Sequence, residues 1–318
     1  MSRLTRIWIY GAGAIGSSMA GLLYTAGCSV RLIGSSPHLR KIGSEGLLFQ
    51  IADQPPKNLP LGTILPEDLP TFDADDMVLL TGKLTGLTAA AERLKDLLSS
   101  ETRVIALQNG LNVDQTAASL LSRPVERGLI YFGANCPEVG KVKLYPGLIR
   151  LRSAPATEQL AKLLLDTPIR AELKDEFMEI EWTKLAINCI ANPLAGLLGA
   201  PNSALSDSNL DPFKESILSE VREIALANGI KLAISTKDFN RYIRGATGEN
   251  IASLHSDLRR GEKTEIEALN GLIVREGALW NIPTPANTLV LGLIRFLEIS
   301  AGAKTNTEVS EELSNNKA

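Results

Sequence analysis

Residues 6–16 read RIWIYGAGAIG, and this stretch decides the fold of the first half of the chain. It begins as a short apolar run rich in β-forming residues, and glycines follow at positions 11, 13 and 16. The small-residue segment SSMAGLLYTAG comes next and predicts a helix, while residues 28–33 (CSVRLI) predict a second strand. Strand, glycine turn, helix and strand together have the length of a β-α-β unit, about 30 residues.

The glycine pattern is G-x-G-x-x-G, which is typical of a loop that binds a dinucleotide pyrophosphate. The first glycine permits a tight turn, the second lets the backbone approach the phosphates, and the third lets the helix pack closely on the strand. The helix N-terminus then offers free N–H groups to the phosphates. A plain glycine-rich turn is the alternative, but the strand before and the helix after favour the dinucleotide site. Its expected cofactor-binding residues are Gly11, Ala12, Gly13, Ala14, Ile15 and Gly16.

The end of the second strand bears on the choice of dinucleotide. An Asp or Glu there would bind the ribose 2′-hydroxyl of NAD. Residues 32–36 read LIGSS, with no acid, and the hydroxyls of Ser35 and Ser36 are able to donate hydrogen bonds to a 2′-phosphate. Arg40 lies close in sequence. The pattern favours NADP(H), the alternative being a merely polar turn.

Further along the chain, strands and helices alternate and then give way to helices alone. This order predicts an α/β fold, with an N-terminal Rossmann-type doubly wound parallel sheet and a C-terminal all-helical domain. A length of 318 residues also favours two domains. The expected strands are 76–81, 102–107 and 128–132, with helices at 85–98 and 112–121 and a helix plus edge strand within 156–173. The expected later helices are 176–191, 210–228, 236–244, 248–260, 262–280 and 285–297. The expected domains are 1–173 and 174–303, followed by a disordered polar tail at 304–318.

Composition excludes several classes of protein. Net charge is −3, so there is no basic excess with which to bind nucleic acid. Cys28, Cys136 and Cys189 are far apart and form no CxxC pattern, which argues against a disulfide framework or a metal site. The first residues lack the features of a signal peptide and no window of 18 apolar residues occurs, so we expect a cytoplasmic protein with no membrane span.

A row of polar residues stands out in the segment WTKLAINCIANPL, residues 182–194. Lys184, Asn188 and Asn192 recur at a spacing of four on an otherwise apolar helix, so they share one face. Either this face is solvated or it lines a ligand cavity. Asparagine is a poor helix former on exposed faces, and Pro193 indicates a break or kink beside the row, so we favour the cavity.

The chemistry implied by a nicotinamide cofactor also requires a proton donor. The chain has only two histidines: His38, which follows the second strand, and His255, which has no evident partner. Desolvation brings a lysine pKa toward the working range, and its charge stabilises a developing oxyanion. Lys184 is therefore the best candidate for proton donor. Glu262, Glu265 and Glu267 lie close together on a predicted helix, which is either functional or simply exposed.

Taken in order, the motifs resemble those of the ketopantoate reductase family from residue 6 to about residue 297. They are GAGAIG at 11–16, Gly82-Lys83, QNGLN at 108–112, KLAINCIANPL at 184–194, Pro201-Asn202, ENIASLHSDL at 249–258 and TEIEALNG at 264–271. One departure is Ser35, where family members usually carry an arginine that contacts the 2′-phosphate.

The resemblance implies reduction of a small 2-oxo acid, 2-dehydropantoate, to pantoate with NADPH, a step toward pantothenate and coenzyme A. It implies Lys184 as catalytic proton donor. The implied cofactor contacts are Ser35, Lys83, Asn109, Ala134 and Glu265, and the implied substrate contacts are Asn109, Lys184, Asn188, Asn192, Asn202, Asn250 and Ser253, with no metal.

Two other functions stay open from the sequence. A related enzyme would reduce another 2-oxo acid or an opine-type substrate, and a non-catalytic sensor would bind the dinucleotide without turnover. The combined presence of Lys184, Asn188, Ser253 and Glu265 argues against the sensor. Both a monomer and a homodimer are compatible with the sequence.

Overall fold

The computed structural model describes residues 6–246 and 252–302, and the chain divides into two compact units, Met1–Phe177 and Met178–Ala318. The expected tail at 304–318 lies outside the described residues, as do Glu249 and Asn250.

The N-terminal unit combines one large sheet with helices. Its strands are β1 (Arg6–Tyr10), β2 (Ser29–Ile33), β3 (Leu47–Ile51), β4 (Lys57–Leu59), β5 (Gly62–Ile64), β6 (Met77–Leu80), β7 (Arg103–Ala106), β8 (Glu126–Glu138), β9 (Lys141–Arg152) and β10 (Arg170–Lys174). Its helices are α1 (Ala14–Thr25), α2 (Pro37–Glu45), α3 (Leu87–Leu94), α4 (Val113–Leu121) and α5 (Pro155–Leu163).

The strand order confirms the Rossmann-type prediction. Strands β5, β2, β1, β6, β7 and β8 lie side by side and pair in parallel. Beyond β8 the sheet continues as β9, β3 and β4, with antiparallel pairing of β8 with β9 and of β3 with β4. This mixed part was not predicted, because β3, β4, β9 and the long extension of β8 past residue 132 were not recognised in the sequence.

Both faces of the parallel part are covered, which follows from the alternation of side chains along each strand. Ile7 and Ile9 of β1 pack in one apolar cluster with α1, whereas Trp8 between them packs in another with α3 and α4. Strand order reverses at β1, which lies between β2 and β6. In open α/β sheets, ligands bind at such a reversal, beyond the carboxyl ends of the strands.

The C-terminal unit is helical over its described residues. The helices are α6 (Met178–Leu198), α7 (Asp211–Ala227), α8 (Thr236–Ala246), α9 (Ser253–Arg259), α10 (Asn270–Trp280) and α11 (Pro285–Ser300), with short 3₁₀ turns at Asn202–Ser206, Ser208–Leu210 and Ile266–Ala268. Helix α6 contacts α7, α9 and α11, and apolar side chains fill the space between them.

Two predictions about this unit were wrong. The helix expected to end at residue 191 does not break at Asn192-Pro193, because α6 continues through Pro193 to Leu198; the alternative of a kink there stays a prediction. The single helix expected over 262–280 is a 3₁₀ turn followed by α10. Between the two, Leu269 leaves helical geometry (φ −107°, ψ −102°), and ahead of the turn Thr264 donates its backbone N–H and its hydroxyl to the carboxylate of Glu298, at 2.8 and 2.7 Å.

Candidate active site

The glycine loop joins β1 to α1, and two of its glycines are required by packing. Gly11 has φ +112°, and a Cβ added there would lie 2.3 Å from the backbone nitrogen of Gly82. A Cβ at Gly16 would lie 1.9 Å from the carbonyl oxygen of Gly11. Neither position therefore accepts a side chain without movement of the backbone.

Gly13 differs from the other two glycines, because a Cβ added there would meet no protein atom within 4 Å. It is the N-cap of α1, no side chain caps the helix at this end, and the first turn contains no acid. The space over the helix N-terminus is thus open and bordered by backbone N–H groups. This arrangement fits the pyrophosphate of a dinucleotide, which needs a close backbone approach and N–H donors.

At the end of β2, the loop that follows Ile33 carries the two serines. Ser35 is exposed, and its carbonyl oxygen accepts a hydrogen bond from Nη1 of Arg40 at 2.8 Å. The hydroxyl of Ser36 caps α2 by accepting from the backbone N–H of Leu39 at 3.2 Å. Arg40 is therefore held over the same loop in which sequence reasoning expected a phosphate contact.

A small cavity of about 170 Å³ lies beside the glycine loop in the N-terminal unit. Lys83 lines it and is half-buried, and Gln108 contributes a buried side-chain oxygen that has no hydrogen-bond partner. The complete lining is Tyr10, Gly11, Gly82, Lys83, Thr85, Gly86, Ala90 and Gln108.

Asn109 follows β7 in a loop that a buried arginine holds in place. Arg127 of β8 is fully buried, and its guanidinium donates to the carbonyl oxygens of Ala106, Gln108 and Gly110 at 3.1, 2.9 and 2.9 Å. These contacts set the backbone on both sides of Asn109. Sequence reasoning missed Arg127, although a charged residue in the apolar strand VERGLIYF was a usable signal.

Ala134 and His38 lie elsewhere in the N-terminal unit. Ala134 is half-buried in β8, where it pairs with Leu144 of β9. His38 is in the first turn of α2, and its Nδ1 accepts from the backbone N–H of Gly140 at 3.0 Å. Its Nε2 lies 3.2 Å from the hydroxyl of Ser17, and burial lowers the pKa of this histidine. These contacts tie α2 to α1 and to the turn between β8 and β9.

In the C-terminal unit, the polar row lies on α6 as its spacing predicts. Lys184 is only 7% exposed, and Asn188 and Asn192 are half-buried. At 1.5 Å per residue the row extends about 12 Å along the helix. A helix face in contact with solvent would leave these side chains more exposed. Burying an ammonium beside apolar groups alone would be costly, so this face suits a polar cavity.

Ser253 is brought next to this row although it is far from it in sequence. Its hydroxyl donates to Oδ1 of Asn192 at 3.3 Å. The contact depends on close packing of α6 on α9, since a Cβ added at Gly196 would lie 2.6 Å from Leu254. Asn250 belongs to the same sequence motif but lies outside the described residues.

Asn202 is buried at the start of the 3₁₀ turn that follows α6, and its side-chain oxygen has no hydrogen-bond partner. The turn is held by Lys214, which is fully buried and donates to the carbonyl oxygens of Leu205 and Asp207 at 2.9 and 3.1 Å. The side-chain oxygen of Asn240 accepts a third hydrogen bond from Lys214, at 2.6 Å.

The three glutamates near residue 265 do not form one cluster. Glu265 is half-buried and precedes the 3₁₀ turn, so it is not on a helix as predicted. Glu262 is exposed and accepts from Arg260 at 3.0 Å, and Glu267 is exposed and paired with Arg295 at 2.6 Å. Glu265 stays a candidate for ligand contact because the family resemblance assigns it that role.

Over residues 6–246 and 252–302, no group of three His, Cys, Asp or Glu side chains is arranged to hold a metal ion. Within those same ranges, none of the helices combines the length and the apolar character that crossing a membrane requires.

Comparison with known proteins gives matches over both units. The family model of ketopantoate reductase PanE/ApbA matches residues 7–151, and that of its C terminal matches residues 176–298. A 2-dehydropantoate 2-reductase of Pyrococcus horikoshii is 30% identical over 304 residues, which cover 93% of this chain and 99% of the relative.

Solved structures agree with these matches. A PanE/ApbA family ketopantoate reductase from Ralstonia eutropha has a TM-score of 0.83 at 28% identity, over 93% of this chain and 99% of that one. A D-mandelate dehydrogenase with NADH and anilino(oxo)acetate has a TM-score of 0.85 at 23% identity, over 94% and 100%, and so shares the fold. On the family models and the full-length archaeal relative, this chain belongs to the ketopantoate reductase (PanE/ApbA) family.

Proposed function

We propose that this protein is an oxidoreductase that reduces 2-dehydropantoate to pantoate with a nicotinamide dinucleotide, and that Lys184 is the proton donor. The observation that carries the proposal is the burial of Lys184 on the same helix face as Asn188 and Asn192. Full-length similarity to a 2-dehydropantoate 2-reductase supports the choice of substrate.

The N-terminal unit would hold the cofactor. Backbone N–H groups at Gly13 and the first turn of α1 bind the pyrophosphate, with Ala12, Ala14 and Ile15 around them. Lys83, Asn109 and Ala134 would contact the rest of the dinucleotide, and the family resemblance assigns Glu265 to the cofactor as well. When bound, the reduced nicotinamide supplies a hydride to the carbonyl carbon of the 2-oxo acid.

Lys184 completes the reduction by giving a proton from Nζ to the carbonyl oxygen as negative charge develops there. Its positive charge stabilises the same oxygen before the proton moves. Burial keeps bulk water away from the ammonium group, which strengthens this interaction.

The carboxamides and the serine would bind the carboxylate and hydroxyl groups of the substrate. Because Oδ1 of Asn192 accepts from Ser253, its amide nitrogen is the group left to donate to a carboxylate. Asn188 and Asn202 act with it, and the free side-chain oxygen of Asn202 suits a substrate hydroxyl. Asn109 of the N-terminal unit and Asn250 are assigned to the same substrate.

We infer that NADPH is preferred over NADH. The loop after β2 has no acid to repel a 2′-phosphate, and Ser35, Ser36 and the N-terminus of α2 offer donors there. Arg40 lies against the carbonyl of Ser35 and would supply the charge that an arginine at position 35 usually supplies in the family. Arg40→Gln should therefore raise the KM for NADPH about tenfold, the equivalent of about 1.4 kcal/mol, and leave the KM for NADH unchanged.

We also propose a homodimer. Leu289, Leu293, Phe296 and Ile299, hereafter the α11 stripe, recur at spacings of four, three and three on one face of α11 and are 41–66% exposed. The other face of α11 is buried by Val290, Leu291 and Ile294. A helix with apolar residues on both faces is usually buried on both faces. We therefore propose that a second copy of the chain covers the α11 stripe.

The decisive experiment is a steady-state assay of 2-dehydropantoate with NADPH and with NADH, alongside a panel of other 2-oxo acids. We expect oxidation of NADPH that depends on 2-dehydropantoate. Higher kcat/KM with another 2-oxo acid would assign the chain to a different substrate, and binding of cofactor without any turnover would leave a dinucleotide sensor.

A further inference from the structure

Helix α6 continues through Pro193, although a proline inside a helix removes one of the helical hydrogen bonds. In an α-helix, the N–H of each residue donates to the carbonyl oxygen four residues earlier. Proline has no N–H, and its ring pushes that carbonyl aside. Pro193 therefore leaves the carbonyl oxygen of Cys189 without a helical donor, in the turn between Asn188 and Asn192.

The missing donor comes from another helix. Nδ2 of Asn270, the first residue of α10, lies 3.0 Å from the carbonyl oxygen of Cys189. Asn270 and Cys189 are both fully buried, so water does not compete for this carbonyl. An unsatisfied buried carbonyl would be costly, and the NH₂ group of Asn270 satisfies it, while the Oδ1 of the same amide is buried without a hydrogen-bond partner.

A chain of buried groups determines which way the Asn270 amide points. The carboxylate of Glu220 accepts from the backbone N–H groups of Ala286 and Asn287 at 2.7 and 2.9 Å. It also accepts from Nδ2 of Asn287 at 2.7 Å, so Oδ1 of Asn287 is turned toward Asn270 and accepts from it at 2.9 Å. Because both carboxylate oxygens of Glu220 accept N–H donors, this order presents the NH₂ group of Asn270 to both of its partners.

We propose that Asn270 is a positioning residue for the substrate site. Its amide replaces the helical hydrogen bond lost at Pro193 and thereby keeps Asn192 in line with Asn188 and Lys184. The catalytic part of this inference rests on the proposed function, whereas the structural part does not.

A double-mutant cycle with Pro193→Ala tests the inference, because alanine restores the N–H that donates to Cys189. Asn270→Leu removes the donor with little change in volume. We expect it to lower the thermal midpoint by about 5 °C and to raise the KM for 2-dehydropantoate about tenfold, with a smaller change in the KM for NADPH. Pro193→Ala alone should stay close to the wild type in both measurements.

The double variant Pro193→Ala/Asn270→Leu should regain at least half of the decrease in thermal midpoint. Its KM for 2-dehydropantoate should return most of the way to the wild-type value. As a matched control, Asn240→Leu removes a buried carboxamide of the same unit whose hydrogen bonds go to Lys214 and Asp211, so Pro193→Ala should not rescue its thermal midpoint. A double variant no better than Asn270→Leu, or an Asn270→Leu protein that behaves as wild type, would overturn the proposal. If Asn270→Leu does not fold, folded protein in the double variant would support the proposal, and an unfolded double variant would overturn it.

Failure of the proposed function would be seen separately. If the wild type oxidises neither cofactor with 2-dehydropantoate, the proposed reaction is wrong, and the four thermal midpoints of the cycle still decide whether Asn270 replaces the bond lost at Pro193.

Discussion

At the scale of single residues, the proposed chemistry depends on Lys184. Lys184→Gln keeps the polarity and most of the length of the side chain but removes the transferable proton and the positive charge. We expect kcat to fall by about 10²- to 10⁴-fold, the usual contribution of general acid catalysis, with the fold and cofactor affinity unchanged. Turnover, circular dichroism and fluorescence titration with NADPH measure the three quantities.

Lys231→Gln is the matched control for that substitution, because Lys231 is exposed and lies outside the polar row. It should keep full activity. Wild-type turnover in Lys184→Gln would remove the lysine from the mechanism.

His38 makes a second prediction at this scale, for the dependence of stability on pH. Burial lowers its pKa below the usual value of 6.5 in the folded protein. As pH falls below about 6.5, the unfolded chain therefore binds a proton that the folded chain resists, and the free energy of unfolding decreases. Above that pH the contribution is fully present and constant.

His38→Asn keeps an acceptor for the N–H of Gly140 but does not titrate. We expect its thermal midpoint to change less than that of the wild type between pH 7.5 and pH 5.5. Equal slopes in the two proteins would show that another group controls stability in this range.

At the scale of elements, two glycines of the turn from β1 to α1 are needed for different reasons. Gly11 is needed for packing of the backbone, and Gly13 is needed for binding of the cofactor. A side chain at Gly13 has room in the protein and an allowed φ of −81°, whereas one at Gly11 collides with Gly82. We expect Gly13→Ala to leave the thermal midpoint within about 1 °C of wild type but to weaken NADPH binding about tenfold, because the methyl occupies the approach to the pyrophosphate.

Gly11→Ala should instead lower the midpoint by several degrees, since the backbone has to move and the positive φ disfavours alanine. Calorimetry and a cofactor titration on both variants test the distinction. Equal loss of stability in the two variants would contradict it.

At the scale of the whole molecule, the α11 stripe predicts the state of assembly. Phe296→Glu places a charge in the middle of the proposed interface, and we expect it to convert a dimer into a monomer at micromolar concentration in sedimentation velocity. Leu165→Glu is the control, because Leu165 is equally apolar and exposed but lies in the N-terminal unit. A wild-type protein that sediments as a monomer would refute the proposed interface.

Local sequence patterns were enough to predict the β-α-β unit, the glycine loop and the shared face of Lys184, Asn188 and Asn192, because these depend on spacings within a few residues. The parallel sheet with helices on both faces followed from the alternation of strands and helices, whereas the order of its strands was not predicted. The limits of β8 and the presence of β9 were missed, since their pairing depends on partners and not on local periodicity.

The tertiary structure alone decided how distant polar groups meet. Asn192 bonds Ser253, which is 61 residues away, and Asn270 reaches the carbonyl of Cys189 across 81 residues. It also decided that Pro193 would not end α6, against the local rule. For the buried carbonyl of Cys189, the physical reason is that an unpaired buried polar group is costly, and its partner comes from a neighbouring helix whose position no local spacing records.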